Sequence, residues 1–552
     1  MIGNLTLDEF PPVSTEKWDE VVRQDLKGAT PKTKLFYRAE DLQSLEYLDS
    51  APGEFPYTRG TRTDNEWRIQ VVAHDAEGAR AALNEGAEEI CLVLGDQHIG
   101  EVLDALPVCP IHFEAGARAV ELLEALARRP AAGGSVDYEP LANFDRAAVL
   151  ASAVRKPGFR PITIPAHRFA ESGATIVQEL AFALAEGVEI VGQLSDHGLT
   201  PAASVQAMVF SCAVGPNYFQ EIAKLRAART LWARAVEAFD PPLGSAAKMV
   251  IHARTAHWNK TIYDSYVNVL RATTEAMAAV IGGADAVRVE AFDDCYREPQ
   301  SAACRLARNT QLILKQEAWL DRSVDAGGGS YYLENLTDSL AREAWKLFQQ
   351  IEAAGGFLKY SAAGALERDI AKSRADRDAA AATRRMPILG TNQYPNLQER
   401  RLPSIERIDP APRAARVFEE IRLRTERYAE RTGHTPRFLL LEAGDVKMRK
   451  ARSGFCQSFF GCAGFEIEIA DSITGDPDVV VLCSSDAAYA DLAPRVIQEL
   501  RAAGQHTPVI VAGNPVDSME QLKQAGVADF VHVRVNAAEF LRAWQDRLGV
   551  GG

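Results

Sequence analysis

The stretch from Ile251 to Gly356 is the part of this chain that most narrows its fold, because it demands parallel strands. Met249 to Ile251 is an apolar, β-branched run suited to a buried strand. Tyr266 to Ile281 then carries Val267, Leu270, Thr274, Met277 and Ile281 at helical spacing before a Gly282-Gly283 stop, and Ala286 to Val289 is the next strand. A strand, a helix and a strand in this order run parallel, since antiparallel neighbours need only a tight turn.

The same alternation extends back through the chain. Strands are expected at Trp67 to Val72, Glu89 to Leu94, Val108 to Phe113, Val136 to Tyr138, Phe159 to Ile164, Val205 to Phe210, Lys248 to His252 and Ala286 to Val289. Helices are expected at Ala76 to Glu85, Ala117 to Arg128, Ile176 to Ala185 and Tyr218 to Phe239, the last presenting Ile222, Leu225, Leu231, Trp232, Val236 and Phe239 along one side. Eight strands alternating with helices suggest a closed (β/α)8 TIM barrel over residues 57–360, with an open doubly wound sheet as the other solution. Residues 1–56 read as an arm: Thr15 caps an amphipathic helix from Lys17 to Leu26 whose apolar set (Trp18, Val21, Val22, Leu26) is too small to fold alone. Residues 361–435 are rich in Arg, Ala and Pro. They read as a linking belt, extended and followed by one amphipathic helix, with charges on a solvated face.

From residue 436 to 552 the alternation restarts. Strands at Phe438 to Leu441, Glu466 to Ala470, Val479 to Cys483, Val509 to Ala512 and Phe530 to Val533 are separated by helices at Ala451 to Cys462, Asp491 to Ala503, Ser518 to Ala525 and Ala537 to Leu548. That is a flavodoxin-like doubly wound domain. Two domains suit 552 residues, which exceed what one core supports. The net charge of -14 argues against nonspecific nucleic-acid binding. Eight cysteines without a C-x-x-C pair suit a reducing cytoplasm, and the amino terminus carries no apolar run for a signal or a membrane span. His252 and His257 lack a third ligand at a zinc spacing, and His532 beside an apolar strand reads as a core histidine. Gly327 to Gly329 reads as a tight turn, because no Lys-Ser/Thr follows to complete a phosphate loop.

The order of barrel, belt and small domain, together with ARNTQLILKQE (Ala307 to Glu317), Asp325 with Gly328-Gly329-Ser330 and Tyr332, LTDSLAREAWKLFQQIEAAGG (Leu336 to Gly356) and the helix from Glu221 to Phe239, resembles the cobalamin-dependent acyl-CoA mutases typified by methylmalonyl-CoA mutase. The resemblance implies an amino-terminal arm that reaches a partner subunit. It also says where a catalytic member keeps its groups. Counting back from Ala463-Gly464-Phe465, the D-x-H-x-x-G motif that offers cobalt a histidine falls on Lys447, Arg449 and Arg452, and a guanidinium has no lone pair for a metal. Ser484 is kept, but Asp486 replaces a leucine, and Ala512-Gly513 replaces a Gly-Gly turn. A buried aspartate and an added methyl would both disfavour the corrinoid tail. In the barrel Val72 stands in place of the substrate tyrosine. Arg168 stands in place of the catalytic histidine, with His167 one residue early and so on the opposite face of a strand. Arg254, His257, Asn259 and Asp285 occupy further positions where catalytic chains carry other groups.

These departures resemble the small, non-catalytic subunit of the heterodimeric mutases. The resemblance therefore implies a chain with no catalytic, cofactor-binding or metal-ligating residue of its own. It would pair as a heterodimer with a large catalytic subunit that carries adenosylcobalamin and interconverts methylmalonyl-CoA and succinyl-CoA. No nucleic-acid or membrane partner is expected, and the location is cytoplasmic. The rival readings are an independently active acyl-CoA mutase that binds cobalamin without a histidine ligand, and a CoA-ester-binding or chaperone module.

Overall fold

In the first 300 residues the β-branched runs between helices become the strands β1 (Arg68–Ala73), β2 (Glu89–Val93), β3 (Ile111–Glu114), β4 (Gly134–Val136), β5 (Phe159–Arg160), β6 (Ile162–Ile164), β7 (Met208–Val214), β8 (Ile251–Thr255) and β9 (Ala286–Arg288). This is a computed structural model, which describes residues 14–27, 37–39, 42–45, 64–128, 133–142, 158–240, 248–408 and 411–551. The strands form one parallel sheet in the order β5-β4-β3-β2-β1-β9-β8-β7-β6. Its two ends, β5 and β6, are halves of one run broken at Pro161, whose nitrogen cannot donate to a ladder. The first half pairs with β4 and the second with β7. Thr163 N donates to Tyr138 O at 3.1 Å and Thr163 Oγ1 to Val136 O at 2.7 Å, so the sheet curls round on itself as a (β/α)8 barrel requires.

Several expected strands begin late. Val108 is almost fully exposed, and β3 starts only after Pro110. Residues from Val205 are still in the helix Pro201–Gln206, capped by Thr200 with proline in its first turn, and β8 starts at Ile251 rather than Lys248. The helix expected to end at Ala185 runs from Ile176 to Asp196, opened by a Thr175/Gln178 capping box. Gly187 is no stop there. A Cβ at 187 would lie 2.8 Å from Trp232 Cζ3, so glycine permits two helices to meet.

The helix Tyr218–Val236 is buried on all sides, not along one. Lys224 lies 2.8 Å from Glu179 and 2.5 Å from Glu221, and Arg226 bonds Asp325 (2.8 Å), Thr337 (2.9 Å) and Glu334 (2.7 Å). Asp325 precedes the Gly327 to Gly329 turn that opens the helix Tyr331–Ala353, so this turn is pinned to the barrel by a guanidinium.

The linking region differs from an extended belt. Residues Ala365–Ala382 form a helix, and Arg416–Thr432 a second. Its charges are not all solvated: Arg413, Glu419, Arg422 and Glu426 are buried. Arg413 pairs with Glu419 at 2.7 Å, Glu419 accepts from Ile262 N at 2.8 Å, and Glu426 accepts from Tyr263 OH at 2.9 Å. This network ties the second helix to the loop that follows β8.

The small domain has strands β10 (Arg437–Glu442), β11 (Glu466–Ala470), β12 (Val479–Cys483), β13 (Val509–Ala512) and β14 (Val527–Val531), parallel in the order β11-β10-β12-β13-β14. Alternate residues feed two cores, Leu440, Val481 and Ile510 on one face and Leu439, Val480 and Val511 on the other, as helices on both faces require. Of the arm, one helix, Thr15–Asp25, and a short hairpin are described. Ser14, not Thr15, caps that helix by accepting from Lys17 N. The rest of the arm and its boundary at residue 56 lie outside the described residues. Among the described residues no helix is long and apolar enough to cross a membrane.

Candidate functional site

Parallel α/β folds place ligands at the carboxyl ends of their strands, so there are two candidate faces, the barrel's mouth and the end of the small sheet. In the barrel the alternation of each strand decides what lines the bore. Ile90, Leu92, Ile251 and Ala253 join the apolar core, so Glu89, Cys91, His252 and Arg254 face the other way.

The inward positions are charged and mutually bonded. Deepest in the bore, Glu89 accepts from Gln70 Nε2 at 2.7 Å and pairs with Arg68 at 2.8 Å, while Arg68 Nη2 lies 3.4 Å from His252 Nε2. His112 and His252 meet edge to face with centroids 5.5 Å apart, and His112 Nδ1 lies 2.8 Å from Ser135 Oγ. Burial, with its neighbour His252, pushes His112 down to about 4; burial and then Arg68 push His252 down to about 3. Both rings are therefore neutral at pH 7.

Nearer the mouth, Arg288 bonds Glu114 at 2.7 Å and Glu290 at 2.8 Å, and Arg254 bonds Glu290 at 3.0 Å and lies 3.8 Å from Glu171. Burial would raise Glu114, but Arg288 and Arg254 hold its carboxyl at about 2. Cys91, His112 and Glu114 bring three potential ligand atoms within 4.8 Å of one another. They do not suit a metal ion, because Arg288 already supplies the positive charge, bonded to Glu114 and 3.4 Å from the Cys91 sulfur. Burial also pushes the Cys91 thiol up, away from the thiolate a metal needs.

The structure brings together some of the positions singled out in the sequence and separates others. Val72 continues the inner row of β1 at the mouth. His167 is not on a strand. It lies on the short helix Ala166–Ser172, so the face-reversal expectation does not apply; its Nδ1 is 3.3 Å from the Ser211 carbonyl, and burial, then Arg254 and Arg168, push it well below its ordinary range. Arg168 pairs with Asp137 at 2.9 Å. His257 and Asn259 follow β8 at the mouth, but Asn259 donates to Glu275 at 2.6 Å, beside a buried Lys260–Glu275 pair of the same length. Asp285 is at the opposite end of the barrel, where it precedes β9 and accepts from Ile251 N at 2.9 Å. Gly282 and Gly283 accompany it there, their carbonyls accepting from Arg229. The belt helix reaches the mouth as well, with the Arg377 guanidinium 4.4 Å above the Trp258 ring.

At the end of the small sheet Lys447, Arg449 and Arg452 lie in the first turns of the helix Val446–Gly461. That helix starts before the expected Ala451 because Asp445 caps it by accepting from Met448 N. Lys447 is exposed; Arg449 lies 4.0 Å from Glu442, which also takes Lys450 at 2.7 Å and Ser453 at 2.6 Å. The donor set at this end is thus basic, and a guanidinium facing Glu442 does not fit the place of a histidine ligand to cobalt. Asp486 is exposed rather than buried and pairs with Arg452 at 3.0 Å. Ala512 is fully buried and belongs to the apolar core. What stands over the following turn is the ion pair: a Cβ at Gly513 would lie 2.6 Å from Asp486 Oδ1. Ser484 is fully buried, its backbone N and O both bonded to the Tyr489 hydroxyl. His532 is not a core residue but half-buried, lining a crevice just beyond β14.

Comparison with known proteins gives concordant matches. The methylmalonyl-CoA mutase family profile matches residues 140–437. The methylmalonyl-CoA mutase small subunit of Porphyromonas gingivalis is 36% identical over 98% of this chain and 98% of its own length, and that of Streptomyces virginiae is 32% identical over the same shares. The methylmalonyl-CoA mutase large subunit of Streptomyces virginiae is 36% identical over 50% of this chain and 37% of its own length.

Proposed function

Because the chain belongs to the methylmalonyl-CoA mutase family, we propose that it is the small subunit of such an isomerase, an intramolecular transferase. It supports a large subunit that carries adenosylcobalamin and interconverts methylmalonyl-CoA and succinyl-CoA. The two are a heterodimer in the cytoplasm, and this chain contributes no catalytic, cofactor-binding or metal-ligating residue. Nucleic acid and membrane have no part in this reading.

The observation that carries it is the ion-paired bore. An acyl-CoA ester entering the barrel would have to part Arg288 from Glu114 and Glu290 and Arg254 from Glu290. Each parted charge would then be left desolvated, at about 3–5 kcal/mol for a buried pair broken on one side. A catalytic barrel needs its polar groups directed at the substrate; here they are directed at one another. The small sheet supports the same reading through Arg449 and the Arg452–Asp486 pair, which occupy positions the resemblance gives to the cofactor. The chain's own residues therefore act as scaffold, and radical chemistry, which the cofactor supplies, is assigned to the partner.

Co-expression of the tagged chain with a candidate large subunit tests this. The expected result is a stable complex whose mutase activity requires both chains. Full activity from a self-associated preparation of this chain alone would contradict it.

A further inference from the structure

Beyond β12, β13 and β14 a crevice of about 420 Å3 opens at the carboxyl end of the small sheet, between Arg452 and Phe455 on one helix and His532 to Arg534 in the turn after β14. The neighbouring gap between β10 and β12, where the strand order reverses, is taken by Glu442 with Lys450 and Ser453. The open space is therefore displaced toward β13 and β14. Its size falls within the range of small-molecule sites, about 300–1,000 Å3.

The chemistry of its walls is uneven in an informative way. Two guanidiniums face it, Arg452 and Arg534, against one carboxylate, Asp486. The bond to Asp486 uses Arg452 Nη2, and the Arg534 side chain makes no hydrogen bond or ion pair among the described residues. His532 registers the resulting field: after burial, Arg534 and Arg452 are what depress its protonation. The Asn514 amide adds a neutral polar group. Against these stand the Phe455 ring and Val533, 79% exposed, an apolar wall open to solvent in a protein whose net charge is -14. A site that pairs excess positive charge with an aromatic and aliphatic wall selects an anion carried on an apolar or flat body.

We propose that this crevice binds a small organic phosphate, a phosphate monoester on a flat ring, with Arg534 and Arg452 on the phosphate and Phe455 and Val533 against the ring. The site rests in part on the subunit reading above, which places the Arg452–Asp486 pair where a catalytic chain holds its cofactor; that reading is tested by activity of the two-chain complex and this one by nucleotide binding to the single chain. Inorganic phosphate would engage only the guanidiniums, and an uncharged ring only the wall, so both together should bind more tightly than either alone. A long nucleic acid is disfavoured by the chain's negative charge.

The test is calorimetric titration of the full chain with adenosine 5′-monophosphate at low salt, with adenosine and inorganic phosphate as separate arms. Saturable one-site binding is expected, weakened at least about tenfold for each of the partial ligands and for Arg534→Ala. Arg452→Met, which keeps the aliphatic stem, should weaken it similarly. Thermal unfolding of each variant shows whether it is folded. The proposal is overturned if no saturable heat is seen up to millimolar ligand, if inorganic phosphate binds as tightly as the nucleotide, or if folded Arg534→Ala and Arg452→Met bind like the parent chain.

Discussion

At the mouth of the barrel Arg288, its side chain 13% exposed, lies between Glu114 and Glu290, whereas at the end of the small sheet Arg452 meets an Asp486 whose side chain is half in water. Both guanidiniums stand on faces where parallel folds hold ligands, and both are paired with carboxylates at about 3 Å or less. The surroundings separate them. In the bore the charges are largely withdrawn from water, and Arg288 is paired with Glu114 on another strand as well as with Glu290, so the pairs close the space and cannot be parted cheaply. At the sheet's edge water screens the pair, and a second guanidinium, Arg534, is left over beside an open crevice. One face has been filled and the other left accessible.

The comparison breaks most visibly if the bore is unpicked. Arg288→Met leaves Glu114 and Glu290 without their shared partner and should cost about 3–5 kcal/mol, read as a lowered urea midpoint for the barrel transition. A loss below about 1 kcal/mol would mean that the ion pairs do not hold the barrel closed.

A smaller effect follows from pH. His112 and His252 have folded-state values of about 4 and about 3, below the ordinary 6.5. The unfolded chain therefore takes up protons at a higher pH than the folded one. Their contribution is fully present above pH 6.5 and is lost as pH falls from there toward 4 and 3. Between pH 7 and pH 5 each of the two histidines should cost the barrel about 2 kcal/mol of stability. His252→Gln should flatten that slope, and an unchanged slope in the variant would remove the histidines from the account.

The smallest effect is expected at the open face. Asp486→Asn removes a solvated partner and should shift stability by less than about 1 kcal/mol in thermal or urea unfolding. A loss as large as that of Arg288→Met would erase the distinction between the two faces.

Much of this architecture is legible from sequence because its cause is local. The small-domain strands β12 and β13 are apolar runs bounded by turns and β11 alternates Glu with Ile, and all three fall at the expected residues. The helix Ala365–Ala382 was not legible. It buries only Leu366, Ile370 and Ala381, so it carries no apolar stripe to announce it. Arg416–Thr432 shows the reverse problem: it was legible as a helix, but its buried Glu419, Arg422 and Glu426 look like surface charges until the loop after β8 is folded against them.

The candidate site divides the same way. That Arg449 lacks a lone pair can be read from its identity alone. The pairing of Arg288 with Glu114 cannot, because 174 positions separate them and only the barrel register makes them neighbours. Register likewise assembles Cys91, His112 and Glu114, and it sends Asp285 to the far end of the barrel from Arg254.

The most direct measurement is the corrinoid content of gel-filtered protein after incubation with adenosylcobalamin, read by visible absorbance for this chain alone and for the complex expected with a candidate large subunit. The account predicts no corrinoid migrating with the isolated chain and a bound corrinoid with the complex. Corrinoid retained by the isolated chain would contradict it.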